Sequence, residues 1–101
     1  MRNIVLICSG GMTTSMLEVR MKAYAKEIGY ECDIHAYGLR VASTVIPSAD
    51  IVLLGPQVCY FLQRFRSTYP DKLIECIERK TYGMMDGKGA IQFAKEKLQD
   101  E

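Results

Sequence analysis

Apolar residues fall along the chain in two alternating rhythms, one of continuous short runs and one of helical spacing. Asn3–Cys8 is an almost unbroken apolar run, the pattern of a strand covered on both faces. Leu17, Met21, Tyr24 and Ile28 then recur at helical spacing, and Gly29 stands where such a helix ends in the left-handed conformation. Tyr30, Cys32, Ile34 and Ala36 alternate with Glu31, Asp33, His35 and Tyr37, which predicts a strand with one wetter face and hence an edge. Leu39–Ile46 reads as a short helix ended by Pro47. Ile51–Leu54 is a second fully apolar strand, after which Gly55-Pro56 opens a helix with Val58, Leu62 and Phe65 on one face, stopped at Tyr69-Pro70. Leu73–Ile77, interrupted by Glu75, is a fourth strand at an edge. A polar connector follows, and Ala90, Ile91, Ala94 and Leu98 mark one face of a carboxy-terminal helix.

Four strands alternating with helices predict a doubly wound α/β domain: a parallel sheet with right-handed crossovers and helices on both faces. The two most apolar strands, the first and third, belong at the centre, which gives the order 2-1-3-4. Its switch point lies at the carboxyl ends of strands 1 and 3, where open α/β sheets bind ligands. Cys8 is the last residue of strand 1.

Composition adds limits to this picture. A chain of 101 residues, 49% apolar and 25% charged, reads as one soluble globular domain over residues 1–101. A net charge of +1 provides no whole-molecule field for nucleic acid or an anionic membrane, so a bound phosphate must be held locally. The apolar run Ile4–Ile7 is too short for a signal core, and no stretch has the roughly 18 apolar residues of a membrane span, so the expected location is cytoplasmic. Cys8, Cys32, Cys59 and Cys76 form no C-x-x-C pair, which disfavours a zinc site; Cys32, Cys59 and Cys76 read as small core residues in a reduced compartment. No metal and no cofactor is expected.

The stretch C-S-G-G-M-T-T-S, Cys8–Ser15, carries the chemistry. A small-residue loop between strand and helix turns successive amides and a positive helix end toward one point, an anion site. Gly10 and Gly11 allow close approach; Ser9, Thr13, Thr14 and Ser15 add hydroxyls; Met12 is an apolar residue suited to docking or to plugging the core. The same field predicts a lowered thiol pKa and a nucleophilic Cys8. Taken singly, each feature has a plainer structural reading, and Ser15 with Glu18 matches a capping box. Their coincidence at the switch point favours a cysteine that is phosphorylated.

The loop lacks the G-K-S/T ending of a mononucleotide loop and the G-x-G-x-x-G of a dinucleotide loop. A receiver domain would carry an aspartate at the end of strand 3, where this chain has Leu54-Gly55. A low-molecular-weight cysteine phosphatase uses C-x5-R, and the matching residue here is Thr14; no Lys or Arg lies between Cys8 and Glu18. Fast hydrolysis of a stable ester is therefore poorly supported, whereas transfer between two good carriers asks less of the site.

C-S-G-G-M-T-T-S at Cys8–Ser15, L-L-G-P-Q at Leu53–Gln57 and Y-G-M-M-D-G at Tyr82–Gly87 together resemble the enzyme IIB component of the lactose and cellobiose class of the bacterial sugar phosphotransferase system. The resemblance covers essentially the whole chain. It implies a four-stranded parallel sheet related to the low-molecular-weight phosphatase fold, with Cys8 accepting a phosphoryl group from a phosphohistidine of the IIA protein. Cys8 would then pass it to a sugar held by the membrane IIC protein, a cellobiose-, chitobiose- or lactose-like one. No direct membrane insertion and no nucleic-acid partner are implied, and the component is expected as a monomer. Gly55, Pro56 and Gln57 should face the cysteine loop, or merely start a helix. Tyr82 and Asp86 follow strand 4 on the same edge, Asp86 either shaping the loop or favouring a turn before Gly87. Departures are few: Gly11 and Thr13 stand where Ala and Ser are as common, and Met84 stands where the family often has a basic residue.

His35, the one histidine, belongs mid-strand on an edge and reads as a surface residue rather than a partner of Cys8. Arg64 and Arg66 fit either a solvated helix face or a docking surface. Two other functions remain open to test: a hydrolytic phosphatase or arsenate-reductase-like enzyme, and a noncatalytic anion-binding module.

Overall fold

The computed structural model describes residues 1–9 and 12–100, the side chains of Met12 and Thr13 excepted. Four parallel strands, β1 (Arg2–Cys8), β2 (Cys32–Gly38), β3 (Ile51–Leu54) and β4 (Leu73–Cys76), lie in the order β2-β1-β3-β4. The apolar ranking of the strands therefore places them correctly. Alternation along β1 divides the core between the two faces of the sheet. Ile4, Leu6 and Cys8 join Leu17, Met21 and Ala25 of helix α1 (Met12–Glu27) and Ala90, Ile91 and Ala94 of helix α5 (Gly87–Leu98). Val5 and Ile7 face the opposite way, against Ala42 of α2 (Ala42–Val45), Ile46, Val58 and, partly buried, Leu62 and Phe65 of α3 (Leu62–Thr68). Each fully buried Ile or Leu of these two layers contributes about 1.5–3 kcal/mol of transfer free energy.

Helix α1 ends as its glycine predicts. Gly29 has φ +69°, and the Tyr30 amide reaches back to the Ala25 carbonyl at 2.9 Å, closing a Schellman turn. That turn takes Tyr30 out of the second strand, which begins at Cys32, and leaves Ile28 41% exposed rather than on the buried face. Leu39–Ser48 is one irregular helical passage, a 3₁₀ turn, α2 and a second 3₁₀ turn that contains Pro47 instead of stopping before it. Pro56–Phe61 is likewise 3₁₀, giving way to α3 only at Leu62.

A five-residue helix, α4 (Arg79–Gly83), occupies what the sequence suggests is a polar connector. Asp86 then caps α5, its carboxylate accepting the Gly89 amide at 3.0 Å. Gly87 sits against the backbone of Arg20 and Met21, so any Cβ there would run into α1. The Asp86-Gly87 pair thus fixes where α5 starts and how closely it packs on α1. Cys59 and Cys76, expected as reduced core residues, are joined by a disulfide that ties the Pro56–Phe61 turn to the end of β4. Pairing of β3 with β4, which sets Leu54 beside Cys76, brings the two together. Cys8 and Cys32 are free.

Candidate functional site

The carboxyl ends of β1 and β3 carry the site. Ile7 pairs with Leu54, and the Gly55 amide donates to the Ile7 carbonyl at 2.9 Å, so the ladder continues one step past β3 and sets Gly55 beside Cys8. Cys8 pairs with Gly38 on its other side. Period-two alternation turns its side chain to the α1 and α5 face, where it is fully buried.

Three groups converge on the sulfur. Thr14, in the first turn of α1, and Tyr82, in α4, are both buried, and their hydroxyls lie 2.6 Å apart. Both hydroxyls and the Gly55 amide hydrogen-bond the thiol in the sense that favours its ionised form. The third group is Gly55 itself. A Cβ built on it would stand 2.9 Å from the Cys8 sulfur, 2.8 Å from Gln57 Oε1 and 3.4 Å from the Tyr82 ring. Glycine is required here by close approach, since its φ of −65° is open to any residue.

Burial outweighs these hydrogen bonds. Desolvation pushes the Cys8 thiol above the ordinary cysteine value, while Thr14, Tyr82 and the Gly55 amide pull it down by less. The expected lowering is therefore corrected: the sequence exposes the attraction of the loop for anions, whereas the dominant influence is the apolar packing around the strand end.

The other sequence candidates divide. Gly10, Gly11 and the side chains of Met12 and Thr13 lie outside the described residues, and with them most of the expected cradle. Ser9 is exposed at a bend directly after Cys8. Ser15 is exposed one turn into α1, which begins at Met12, so it is not the first residue of a capping box. Glu18 does other work: it accepts the Ala36 amide of β2 at 3.2 Å and pairs with Lys22 at 2.7 Å. Pro56 starts the 3₁₀ turn, and exposed Gln57 projects its amide oxygen over Gly55. Asp86 is a helix cap and stands apart from the thiol's hydrogen-bond partners. His35 is exposed on β2, opposite Val5, well up the strand from Cys8. Arg66 is held to the β4 edge, donating to the Ile74 carbonyl at 3.0 Å and to Glu75 at 3.1 Å, and Arg64 lies over the Phe61 ring.

Beside Gly55 the surface opens into a depression of about 350 Å³ lined by Pro56, Gln57, Tyr82 and Arg79. Arg79 was not legible as a site residue, because its segment carries no apolar periodicity and no motif. Among the described residues, no cluster of His, Cys, Asp or Glu could hold a metal, and no helix is long and apolar enough to cross a membrane.

Comparison with known proteins agrees with this arrangement. Residues 3–93 match the family model described as "PTS system, Lactose/Cellobiose specific IIB subunit". The chain is 42% identical over 97 residues to the oligo-beta-mannoside-specific EIIB component of Bacillus subtilis, covering 93% of each protein. The solution structure of a cellobiose-specific phosphotransferase IIB component from Borrelia burgdorferi superposes with a TM-score of 0.80 at 35% identity, covering 97% of this chain and 92% of that one. A lactose-specific EIICB component of Streptococcus mutans is 28% identical over 109 residues, a match to 97% of this chain but only 18% of that larger protein.

Proposed function

Since the chain belongs to the lactose/cellobiose-specific IIB family of the sugar phosphotransferase system, and so works as a phosphotransferase component, we propose that Cys8 is the residue that carries the phosphoryl group. The observation that supports this most is the convergence of Thr14, Tyr82 and Gly55 on a single free thiol at the end of the central strand.

The donor is a phosphohistidine of a IIA protein, and the first transfer is in-line. The Cys8 sulfur attacks phosphorus, the phosphorus–nitrogen bond breaks, a sulfur–phosphorus bond forms, and the thiol proton ends on the imidazole nitrogen that has lost phosphorus. Burial raises the pKa of the thiol and so favours its protonated form in the free protein. Amides at the start of α1, with the hydroxyls of Ser9, Thr13 and Thr14, are suited to the charge spread over the three equatorial oxygens. In the second transfer a sugar hydroxyl attacks the phosphocysteine, its proton is taken by a base of the IIC protein, the sulfur–phosphorus bond breaks, and the departing Cys8 thiolate takes a proton from solvent to return to the thiol.

IIB and IIC work as a pair, and the EIICB relative joins both designations in one name. The sugar is a β-linked glycoside of the cellobiose, chitobiose, lactose or oligo-β-mannoside kind. The component acts in the cytoplasm as a monomer. A direct test compares two substrates. With phospho-IIA the protein should take up one phosphoryl equivalent and stop, and with p-nitrophenyl phosphate alone it should release no phenolate. Steady turnover of the ester would favour a hydrolase instead.

A further inference from the structure

A phosphoryl group on Cys8 brings negative charge to a wall that is neutral. The described groups that hydrogen-bond the sulfur are the Thr14 and Tyr82 hydroxyls and the Gly55 amide, all uncharged, and no Lys or Arg occurs between Cys8 and Glu18. The space beside the sulfur has a definite direction. The Cys8 sulfur and Gln57 Oε1 flank the one point that a Cβ on Gly55 would fill, at 2.9 and 2.8 Å, with the Tyr82 ring at 3.4 Å. Gln57 and Tyr82 then line the open depression, and the remaining charged member of that lining is Arg79.

Arg79 is exposed and opens α4, three residues before Tyr82. Among the described residues its guanidinium has no hydrogen-bond or ion-pair partner, in contrast to Arg66, which is held by Ile74 and Glu75, and Arg2, which is held by Asp100. A planar guanidinium offers paired donors matched to phosphate oxygens, and an unengaged one loses nothing by turning to them.

We infer that Arg79 is the cation that binds the phosphoryl group on Cys8, supplying from α4 the charge that the cysteine loop lacks. The inference rests on the phosphocysteine reading above. In the transfer step Arg79 neither gains nor loses a proton: sulfur replaces the imidazole nitrogen on phosphorus, and Arg79 neutralises part of the charge on the oxygens. Its neighbour Lys80 does not line the depression and serves as the internal control.

The test measures the maximal rate of transfer from phospho-IIA and the phospho-IIA concentration giving half that rate, for wild type, Arg79→Gln, Arg79→Lys and Lys80→Gln. Arg79→Gln should lower the maximal rate about 100-fold, the low end of what loss of one donor to the reacting charge costs, because Arg79 is exposed. Arg79→Lys should recover part of it, and Lys80→Gln should stay at the wild-type rate. A second readout uses the isolated phosphoprotein: the ³¹P resonance of phosphocysteine should titrate at higher pH in Arg79→Gln, because the doubly charged phosphate has lost its cation. A wild-type maximal rate together with an unmoved ³¹P titration overturns the inference, as does a change confined to the half-saturating concentration, which would make Arg79 a contact for the IIA protein. Failure of the phosphocysteine reading shows differently, as no phosphoryl uptake by the wild type itself.

Discussion

Replacing Gly55 by alanine tests the geometry of the site at a single atom. The added Cβ would stand 2.9 Å from the Cys8 sulfur, half an ångström inside the 3.4 Å at which ordinary contact begins. It would also stand 2.8 Å from Gln57 Oε1, but Gln57 is exposed and can swing away. Cys8 is fully buried at the end of a strand paired on both sides, so the sulfur must move by most of that half ångström or the 3₁₀ turn must shift. Overpacking of this kind costs about 1–3 kcal/mol. Against it, alanine at φ −65° and ψ 156° is unstrained and reduces the freedom of the unfolded chain, which returns about 0.4–1 kcal/mol. The net expectation is a loss of about 0–2.6 kcal/mol, small enough for the variant to fold. Transfer should suffer as well: misplacing a reacting atom by about 1 Å costs on the order of 100-fold, so a shift of about half that costs on the order of 10-fold even in the fully folded variant. Urea denaturation gives the first quantity and quenched-flow transfer from phospho-IIA the second. A variant that is measurably destabilised yet accepts phosphoryl groups at the wild-type rate would refute the placement of Gly55 against the reacting sulfur.

Further expectations follow from other contacts. Tyr82→Phe removes a hydroxyl that lowers the Cys8 pKa, so the pH of half-maximal Cys8 alkylation, resolved from Cys32 by peptide mass, should move up. It also removes one of the two hydrogen bonds of the buried Thr14 hydroxyl, which keeps the Cys8 sulfur, at a cost of about 0.5–1.5 kcal/mol in urea. At the opposite end of the sheet, Asp100 accepts from Arg2 at 2.8 and 2.9 Å and from Tyr30, hydrogen bonds that hold its carboxyl down at about 2 from 3.8. A depressed carboxyl stabilises above its unfolded pKa and loses that stability as pH falls through the folded one. The stability gap between wild type and Asp100→Asn should therefore be full at neutral pH, shrink below about pH 4 and close near pH 2, as read from urea midpoints. Gly87→Ala drives a Cβ into the rigid backbone of Arg20 and Met21 and should lower the urea midpoint more than Gly55→Ala does, while any loss of transfer should be no larger than the loss of folded protein.

The frame of the molecule was legible because the sheet ranks its strands by apolarity. Ile4–Cys8 and Ile51–Leu54 are buried on both faces and had to be central, and Glu75 could be tolerated only at an edge. Cys8 was legible for a related reason, since the ends of those strands define where ligands bind, whereas Gly55, Gln57 and Tyr82 were legible only through the family resemblance of L-L-G-P-Q and Y-G-M-M-D-G. What stayed hidden depends on contacts between distant segments. Helix α4 buries Tyr82 alone, too little to leave a period, and so Arg79 passed for part of a polar connector. The role of Glu18 depends on an amide of β2, and the Cys59–Cys76 bond on the pairing of β3 with β4. The direction of the Cys8 pKa was misjudged because spacing reveals the donors of a loop but not how completely a strand end is desolvated.

The most direct test of the central claim is the intact mass of the protein after incubation with phosphoenolpyruvate, enzyme I, the histidine carrier protein and a lactose/cellobiose-class IIA, with Cys8→Ala and Cys8→Ser in parallel. A gain of one phosphoryl group that depends on IIA, maps to the Cys8 peptide and is missing from both variants is the predicted result. Phosphorylation that persists in Cys8→Ala, or none in the wild type while IIA itself is shown to be phosphorylated, would contradict it.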